Sequence, residues 1–407
     1  MPLESSRVRA LFPAFEQDTL KGRAFFENAG GSYTSGHVMD RLEHFYRATK
    51  VQPYGAYAAS IEAGKAMDLA YTRMGETLGV DTNWIHIGPS TSANTYVLAH
   101  AFAQQLGEGD AIVVTNQDHE ANSGVWRRLS SRGIEVREWG IDPETGHLHP
   151  GGLDSLLDKK VRLVAFPHCS NIVGEVNPAR EICSAIRAAG ALSIVDGVSY
   201  APHGMPDLGE INPDIYMFST YKTYGPHLGI MAIRPELAAS LPNQGHHFND
   251  DKPRYRLTPA GPDHAQIAAL AGIADYLEQV ASLAGPEIAG DSPFRVAHDA
   301  TRLQESILMA PLLNWIGSRN NIRLIGPPTP QNRVPTLSLA LDRPGLEVAR
   351  ELAEHKIMAG GGHFYSRRTL EALNVDPRHG VLRLSFVHYT TPGEISALIQ
   401  ALSRILA

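Results

Sequence analysis

The chain has 407 residues and only two cysteines, Cys169 and Cys183. So few thiols exclude a disulfide-built scaffold, and a chain of this length has to be held by apolar cores. No long uncharged apolar run is present, so no segment reads as a bilayer-spanning helix. The opening Met1-Pro2-Leu3-Glu4-Ser5-Ser6-Arg7 lacks the apolar stretch of a secretory signal. Positive charge is not in excess: the net charge is −7, which argues against nucleic acid or an anionic membrane surface as partner. There is no Gly-x-Gly-x-x-Gly turn after the first strand, the main mark of a dinucleotide-binding dehydrogenase. Eighteen histidines are present without a metal-ligand spacing. The adjacent His246 and His247 would point to opposite faces of a strand. What remains is a soluble, cytoplasmic, globular protein of two or three domains, whose 43% apolar residues are enough for a substantial core.

What is present alternates. Helical spacing over Lys65 to Leu78 leads into a strand-like Trp84 to Gly88 and a helix over Thr91 to Leu106. Strands follow at Ala111–Thr115, Ile134–Trp139, Val161–Phe166 and Ser193–Asp196, with helices over Ser123–Arg132 and Pro178–Ala189 between them. This rhythm predicts an α/β fold with a mostly parallel sheet covered on both faces. A proline-free helix from Asp263 to Leu283 reads as the link to a second region. There, strands at Ile322–Ile325, Thr336–Leu341 and Val381–Phe386 precede a last helix over Thr391–Leu406. The expected units are a large domain over 18–265, a linking helix over 266–285, and a small α+β domain over 286–407 joined by 1–17.

Ligands of parallel sheets bind at the carboxyl ends of the strands, and the reactive residues cluster there. Asp196 ends an apolar strand, and Lys222 lies in Phe218-Ser219-Thr220-Tyr221-Lys222-Thr223-Tyr224-Gly225-Pro226. A strand-end acid followed by a lysine among hydroxyls matches the needs of pyridoxal phosphate. The lysine forms a Schiff base with the aldehyde, the acid pairs with the pyridinium nitrogen, and the hydroxyls hold the phosphate. A lone lysine is ordinarily a solvated charge, so the case rests on the other pieces. Ser90 and Thr91 start a helix, where N–H groups and hydroxyls make an anion site, or Ser90 is simply an N-cap. His119 follows a strand and is placed either to lie on an aromatic ring and assist proton transfer, or to bond backbone as a loop histidine. Asn171 is a candidate for the cofactor's phenolic oxygen or for an Asx-turn. Ser199 bonds the cofactor or caps a turn. Arg383, between apolar neighbours on a strand, suits a bidentate grip on a carboxylate or a structural ion pair.

Taken together, these motifs resemble the class V aminotransferase family of fold-type I pyridoxal-phosphate enzymes, a group that includes the cysteine desulfurases. The likeness runs from Phe26-Glu27-Asn28-Ala29-Gly30 to the Arg383 strand, and the order of motifs is its specific part: Gly88-Pro89-Ser90-Thr91, Asp118-His119-Glu120-Ala121-Asn122, Ser170-Asn171-Ile172-Val173-Gly174, Val195-Asp196-Gly197 and the Lys222 segment. The resemblance implies that Lys222 is the Schiff-base lysine and the base for Cα proton movement, that Ser219 and Tyr221 hold the phosphate, and that Arg383 takes the substrate carboxylate. It further implies Asn28, His363 and Tyr365 as substrate contacts and a homodimer with shared active sites. Three departures stand out. The stretch Met358 to Ser366, where desulfurases carry their nucleophilic cysteine, has none. Tyr221 replaces a histidine, and Ala260-Gly261-Pro262 stands in place of a Gly-Thr pair that reaches the partner's phosphate. His246, His247, Arg254 and Arg256, just before it, are candidates for shaping the substrate pocket.

The expected function is a pyridoxal-phosphate enzyme acting on a small amino acid through an external aldimine. Transamination is favoured because the desulfurase thiol is missing. A cysteine-independent Cβ–S or Cβ–Se lyase, an epimerase and a non-catalytic cofactor-binding module are the alternatives.

Overall fold

A computed structural model of the chain describes residues 2–259 and 261–407. The first strand, β1 (Ala24–Phe25), is short and precedes the main sheet. Seven strands build that sheet: β2 (Ile85–Gly88), β3 (Ala111–Thr115), β4 (Glu135–Trp139), β5 (Val161–Pro167), β6 (Leu192–Asp196), β7 (Ile215–Ser219) and β8 (Gly229–Ile233). Every residue of β3, β7 and β8 is buried, which is why their sequences run apolar without alternation. The spatial order is β2-β8-β7-β6-β5-β3-β4. Strands β3 to β7 pair in parallel, while β8 runs antiparallel to both neighbours, so the expected mainly parallel sheet carries one reversed strand. Because β8 is reversed, its first residue, Gly229, lies level with the last residues of β2 and β7: it pairs with Gly88 on one side and Ser219 on the other. A Cβ at Gly229 would collide with the backbone of Ser90 and Thr91. Glycine there lets the start of the helix Thr91–Phe102 settle on the sheet edge beside Ser219.

The second sheet is formed by β9 (Arg323–Ile325), β10 (Thr336–Ala340), β12 (Gly360–Gly362) and β13 (Val381–Ser385), antiparallel in the order β12-β13-β10-β9. The short strand β11 (Ile357–Met358) pairs in parallel with β1. Helices Gly345–Glu354 and Pro392–Ile405 cover this sheet with their apolar faces. A capping box at Thr391 and Glu394 fixes the start of the last helix.

Three boundaries differ from expectation, each for a packing reason. The proposed linking helix, 266–285, is observed as His264–Ala269 and Ala271–Leu283, and Ile273, Tyr276, Leu277 and Val280 bury in the large core. The bridge is instead the helix Pro293–Gly317, whose first half (Ala297, Ala300) packs in the large core and whose second half (Leu308, Leu312, Ile316) packs in the small one. Pro311 sits inside it, where a proline removes one backbone hydrogen bond of the helix. The segment 1–17, expected on the small domain, straddles both units. Leu3, Val8 and Phe12 join the large core, while Arg9 pairs with Glu394 at 2.8 Å. Residues 24–26, expected in the large domain, pack on the small one through β1, Ala24 and Phe26. No helix among the described residues is long and apolar enough to cross a membrane.

Candidate active site

The carboxyl ends of β3, β5, β6 and β7 converge on one cavity, lined by Thr91, Ser92, His119, Asn171, Asp196 and Lys222 among others. Lys222 closes a short 3-10 turn, Thr220–Lys222, directly after β7, and is nine-tenths buried. Its Nζ makes no hydrogen bond to the described residues. Burial and then the Arg383 charge lower its pKa to about 8, against the opposing pull of Asp196 and Glu27. Asp196, the last residue of β6, accepts a hydrogen bond from the Val198 N–H at Oδ1, 2.8 Å away. Burial raises its pKa to about 6, partly offset by that N–H and by Lys222. The next residue is glycine because any Cβ there would enter the Tyr216 ring.

His119 is the N-cap of the helix Glu120–Arg127, which begins earlier than the expected Ser123, and its Nδ1 accepts from the Ala121 N–H at 3.1 Å. It thus bonds backbone, and it also lines the cavity. Burial, with the Lys222 and Arg383 charges, lowers its pKa to about 3 and keeps the ring neutral. Beneath it, Asp118 accepts from the Thr115 hydroxyl and from Asn122 at 2.9 Å. Burial raises the Asp118 pKa to about 8, so this carboxyl is a brace for the turn.

The hydroxyl end of the cavity is built by Thr91 and Ser219, whose side-chain oxygens lie 2.7 Å apart, together with Ser92 and Tyr221. The Tyr221 ring stacks on His227 with centroids 4.6 Å apart. Ser90 takes the simpler of its two expected roles: its Oγ caps the helix by accepting from the Ala93 N–H at 3.1 Å. Ser92, not singled out in the sequence, faces the cavity instead. Ser199 also lines it.

Asn171 is more heavily engaged than expected. Its amide donates to the Phe364 carbonyl at 3.0 Å and its oxygen accepts from Ser366 at 2.7 Å, tying down the loop 363–366. Asn28 is likewise bonded within the fold, and it lines a small cavity beside Lys222. Its amide reaches the carbonyls of Phe25 (3.4 Å) and Ser385 (3.3 Å), and its oxygen accepts from Tyr389. His363 is exposed and its Nδ1 accepts from the Tyr365 N–H at 3.1 Å, so Tyr365, not His363, comes near His119, with ring centroids 5.4 Å apart. Phe364 and Tyr365 hold positive φ angles of 46° and 59°, a strained pair kept in place by the Asn171 contacts and by the Glu120 N–H bonded to the Tyr365 carbonyl. Arg383 is buried against the Phe364 ring and paired with Glu27 at 2.7 Å. Arg254 and Arg256 are spent locally, on Asp68 and Asp250. Of the Ala260-Gly261-Pro262 stretch, Ala260 lies outside the described residues.

A parallel sheet with a buried lysine, a strand-end aspartate and a hydroxyl cluster at a helix start around one cavity defines a fold-type I pyridoxal-phosphate enzyme. The profile of the aminotransferase class-V family matches residues 24–398, and the chain belongs to that family. It is 33% identical over 410 residues to an aminotransferase-like protein, FGM3, of Gibberella zeae, covering 98% of each chain. It is 26% identical to a cysteine desulfurase of Serratia proteamaculans, covering 99% of this chain and 98% of the relative. A solved cysteine desulfurase from Thermococcus onnurineus superposes with a TM-score of 0.85 at 20% identity, over 100% of this chain and 98% of the other, and shares the fold.

The residues present fit the cofactor. Lys222 is buried and unpaired, Asp196 Oδ2 accepts no hydrogen bond from the described residues, and the hydroxyls of Thr91, Ser92 and Ser219 gather at the opposite end. Lys222 attacks an aldehyde only as the free amine. Attachment of pyridoxal phosphate to the cofactor-free protein should therefore quicken about tenfold per pH unit below about pH 8 and level off above it, in stopped-flow absorbance. A rate still climbing at about pH 10 would show that the amine is not depressed.

Proposed function

We propose that the protein is an aminotransferase acting on a small amino acid, with Lys222 moving the proton at Cα. When bound, pyridoxal phosphate supplies an electron sink for the pair that the departing proton leaves behind. The residues divide the remaining work. Nζ of Lys222, with a pKa lowered to about 8, is poised to take and return a proton near neutral pH. The Asp196 carboxylate offers a negative charge to a ring nitrogen. His119, held neutral, presents a flat face without adding charge. Thr91, Ser92 and Ser219 donate hydroxyls to a phosphate, Ser199 lies beside the cofactor, and Arg383 binds the substrate carboxylate.

The observation that carries the choice of reaction is the missing thiolate. The loop 358–366 has no cysteine. Cys169 and Cys183 are both buried, and burial pushes the Cys169 thiol well up and the Cys183 thiol to about 12. A thiol must ionise to attack sulfur; Cys169 lines the Lys222 cavity, but its burial disfavours the thiolate, which supports a reaction without persulfide transfer.

A panel of L-amino acids tests this. Transamination yields a keto acid in an amount limited by the enzyme until a second keto acid is added. Continuous release of pyruvate with sulfide or selenide and no second substrate would overturn the assignment in favour of a lyase, and loss of optical purity alone would favour an epimerase. A homodimer is part of the same reading: the exposed Met39, Tyr46, Tyr54, Tyr57, Ile61 and Leu69 lie on helices Gly36–Ala48 and Ala58–Leu78 and the turn between them. The protein used in the assay should sediment at twice 44.3 kDa; a monomer would remove shared sites from the proposal.

A further inference from the structure

Arg383 already has an anion. Its Nη2 donates to Glu27 Oε1 at 2.7 Å, its Nη1 donates to the Asn171 carbonyl at 3.3 Å, and the Phe364 ring lies 3.7 Å from the guanidinium carbon. Nε is buried and has no partner, and Glu27 Oε2 is buried and has none either. The two groups therefore meet through one bond where a fork-to-fork pair would make two. Half of the binding edge on each side is left open, in a place where unfilled polar atoms are costly.

Glycine shapes the place where the Glu27 carboxylate sits. A Cβ at Gly360 would collide with Oε2, and one at Gly30 would stand 2.9 Å from Oε1. Gly360 is paired in register with Arg383 across β12 and β13, so the carboxylate, the glycine and the guanidinium share one rung of the small sheet. Glu27 itself comes from the segment after β1 and bridges to Ser385. The pair thus joins the beginning and end of the chain, close enough to Lys222 for both charges to act on its amine.

We propose that Glu27 is a specificity-determining residue, an internal carboxylate that occupies Arg383 and that an amino-acid substrate must outcompete. This rests on the reading of Arg383 as the grip for the substrate carboxylate. A substrate carboxylate displaces Glu27 from Nη2, and the enclosed Nε comes within its reach only once that bond is given up. An amine without a carboxylate has no use for Arg383 and leaves the pair intact. Glu27 also balances charge: Arg383 opposes protonation of Lys222, and Glu27 favours it alongside the larger pull of Asp196.

The test is Glu27→Gln, which keeps the shape and removes the charge, with L-alanine and ethylamine as probes that differ in the carboxylate alone. Dissociation constants are read from the cofactor absorbance of the holoenzyme. L-alanine should bind about tenfold more tightly to the variant, a charge-assisted bond no longer being contested, and ethylamine should change by less than about twofold. A second readout needs no turnover: the pH midpoint for cofactor attachment should fall below the wild-type value, because a charge that favoured the ammonium is gone. Unchanged or weaker L-alanine binding together with an unchanged midpoint overturns the proposal. If Glu27→Gln does not fold, Glu27→Asp withdraws the carboxylate by one methylene and should tighten L-alanine binding in the same direction by a smaller factor. Arg383→Lys separates the two ideas. If it binds L-alanine as well as wild type does, the grip itself is misassigned. If it loses L-alanine while Glu27→Gln changes nothing, only the role of Glu27 fails.

Discussion

Alanine at position 222 should lower turnover by at least about 10⁴-fold while the protein still folds. Among the described residues Lys222 is the only lysine lining the cavity, which Asp196, Thr91 and Ser219 also line. No neighbour within the turn Thr220–Lys222 offers another amine. The variant should bind pyridoxal phosphate without the visible band of a lysine adduct, and added methylamine, small enough for the space left by the side chain, should restore part of the rate. A structural defect would not be rescued that way. The cofactor-free protein carries a further signature. In the folded state the amine has a pKa of about 8, below its value of 10.5 in the open chain, so between those limits the unfolded chain holds more protons. Stability of the cofactor-free wild type therefore rises with pH across that window, and at pH 7 the buried ammonium is a net cost. Lys222→Ala should flatten this slope and melt later than wild type at pH 7 in the absence of cofactor. Turnover within tenfold of wild type would remove Lys222 from the chemistry.

The strand ends were legible because the central strands are buried on both faces. Ala111–Thr115 is found as expected, and Val161, Ser193 and Val381 mark strands that differ from expectation by a residue or so. Their order put His119, Asn171 and Asp196 at strand ends, whereas Lys222 was read from its own motif, because the strands Ile215–Ser219 and Gly229–Ile233 on either side of it were not expected. Less legible was what each side chain bonds. Ser90 and Asn28 carry the right chemistry in the right motif, yet their polar atoms go to the Ala93 N–H and to the carbonyls of Phe25 and Ser385. Such bonds depend on local backbone geometry that residue type does not fix. Least legible was Glu27, whose partner lies at the other end of the chain. Nothing near residue 27 signals an arginine, because the pairing is made by the small sheet and β1, both assembled from distant segments. The strained turn at Phe364 and Tyr365 was hidden for a related reason: non-glycine residues adopt positive φ only when tertiary contacts compel them, here those of Asn171 and Glu120.

Asparagine at position 196 should lower turnover by about 10³-fold while leaving the lysine adduct in place, because the change removes a charge and almost no volume. Asp196 ends β6 with one oxygen on the Val198 N–H and the other free toward the cavity. Its pKa, raised to about 6 chiefly by burial, shows that an isolated carboxylate is poorly tolerated there. A cation at that spot reverses the balance, and a protonated ring nitrogen is such a cation. The variant should therefore act with opposite signs on the two forms of the protein. In the cofactor-free form, a folded pKa above the ordinary 3.8 means stability that is present at low pH and lost as the pH rises through about 6. At pH 7 the wild type bears that loss and Asp196→Asn does not, so the variant should be more stable by about 3 kcal/mol. With pyridoxal phosphate bound, the order inverts: the wild type gains an ion pair that asparagine cannot make, and the variant binds cofactor more weakly. Thermal unfolding of both proteins with and without cofactor, at about pH 5 and pH 7, decides the matter. The cofactor-free difference should shrink at the lower pH, where the wild-type carboxyl is protonated. A variant that loses stability equally in both forms would show that Asp196 serves the fold of the β6 turn and not the charge of a bound ring.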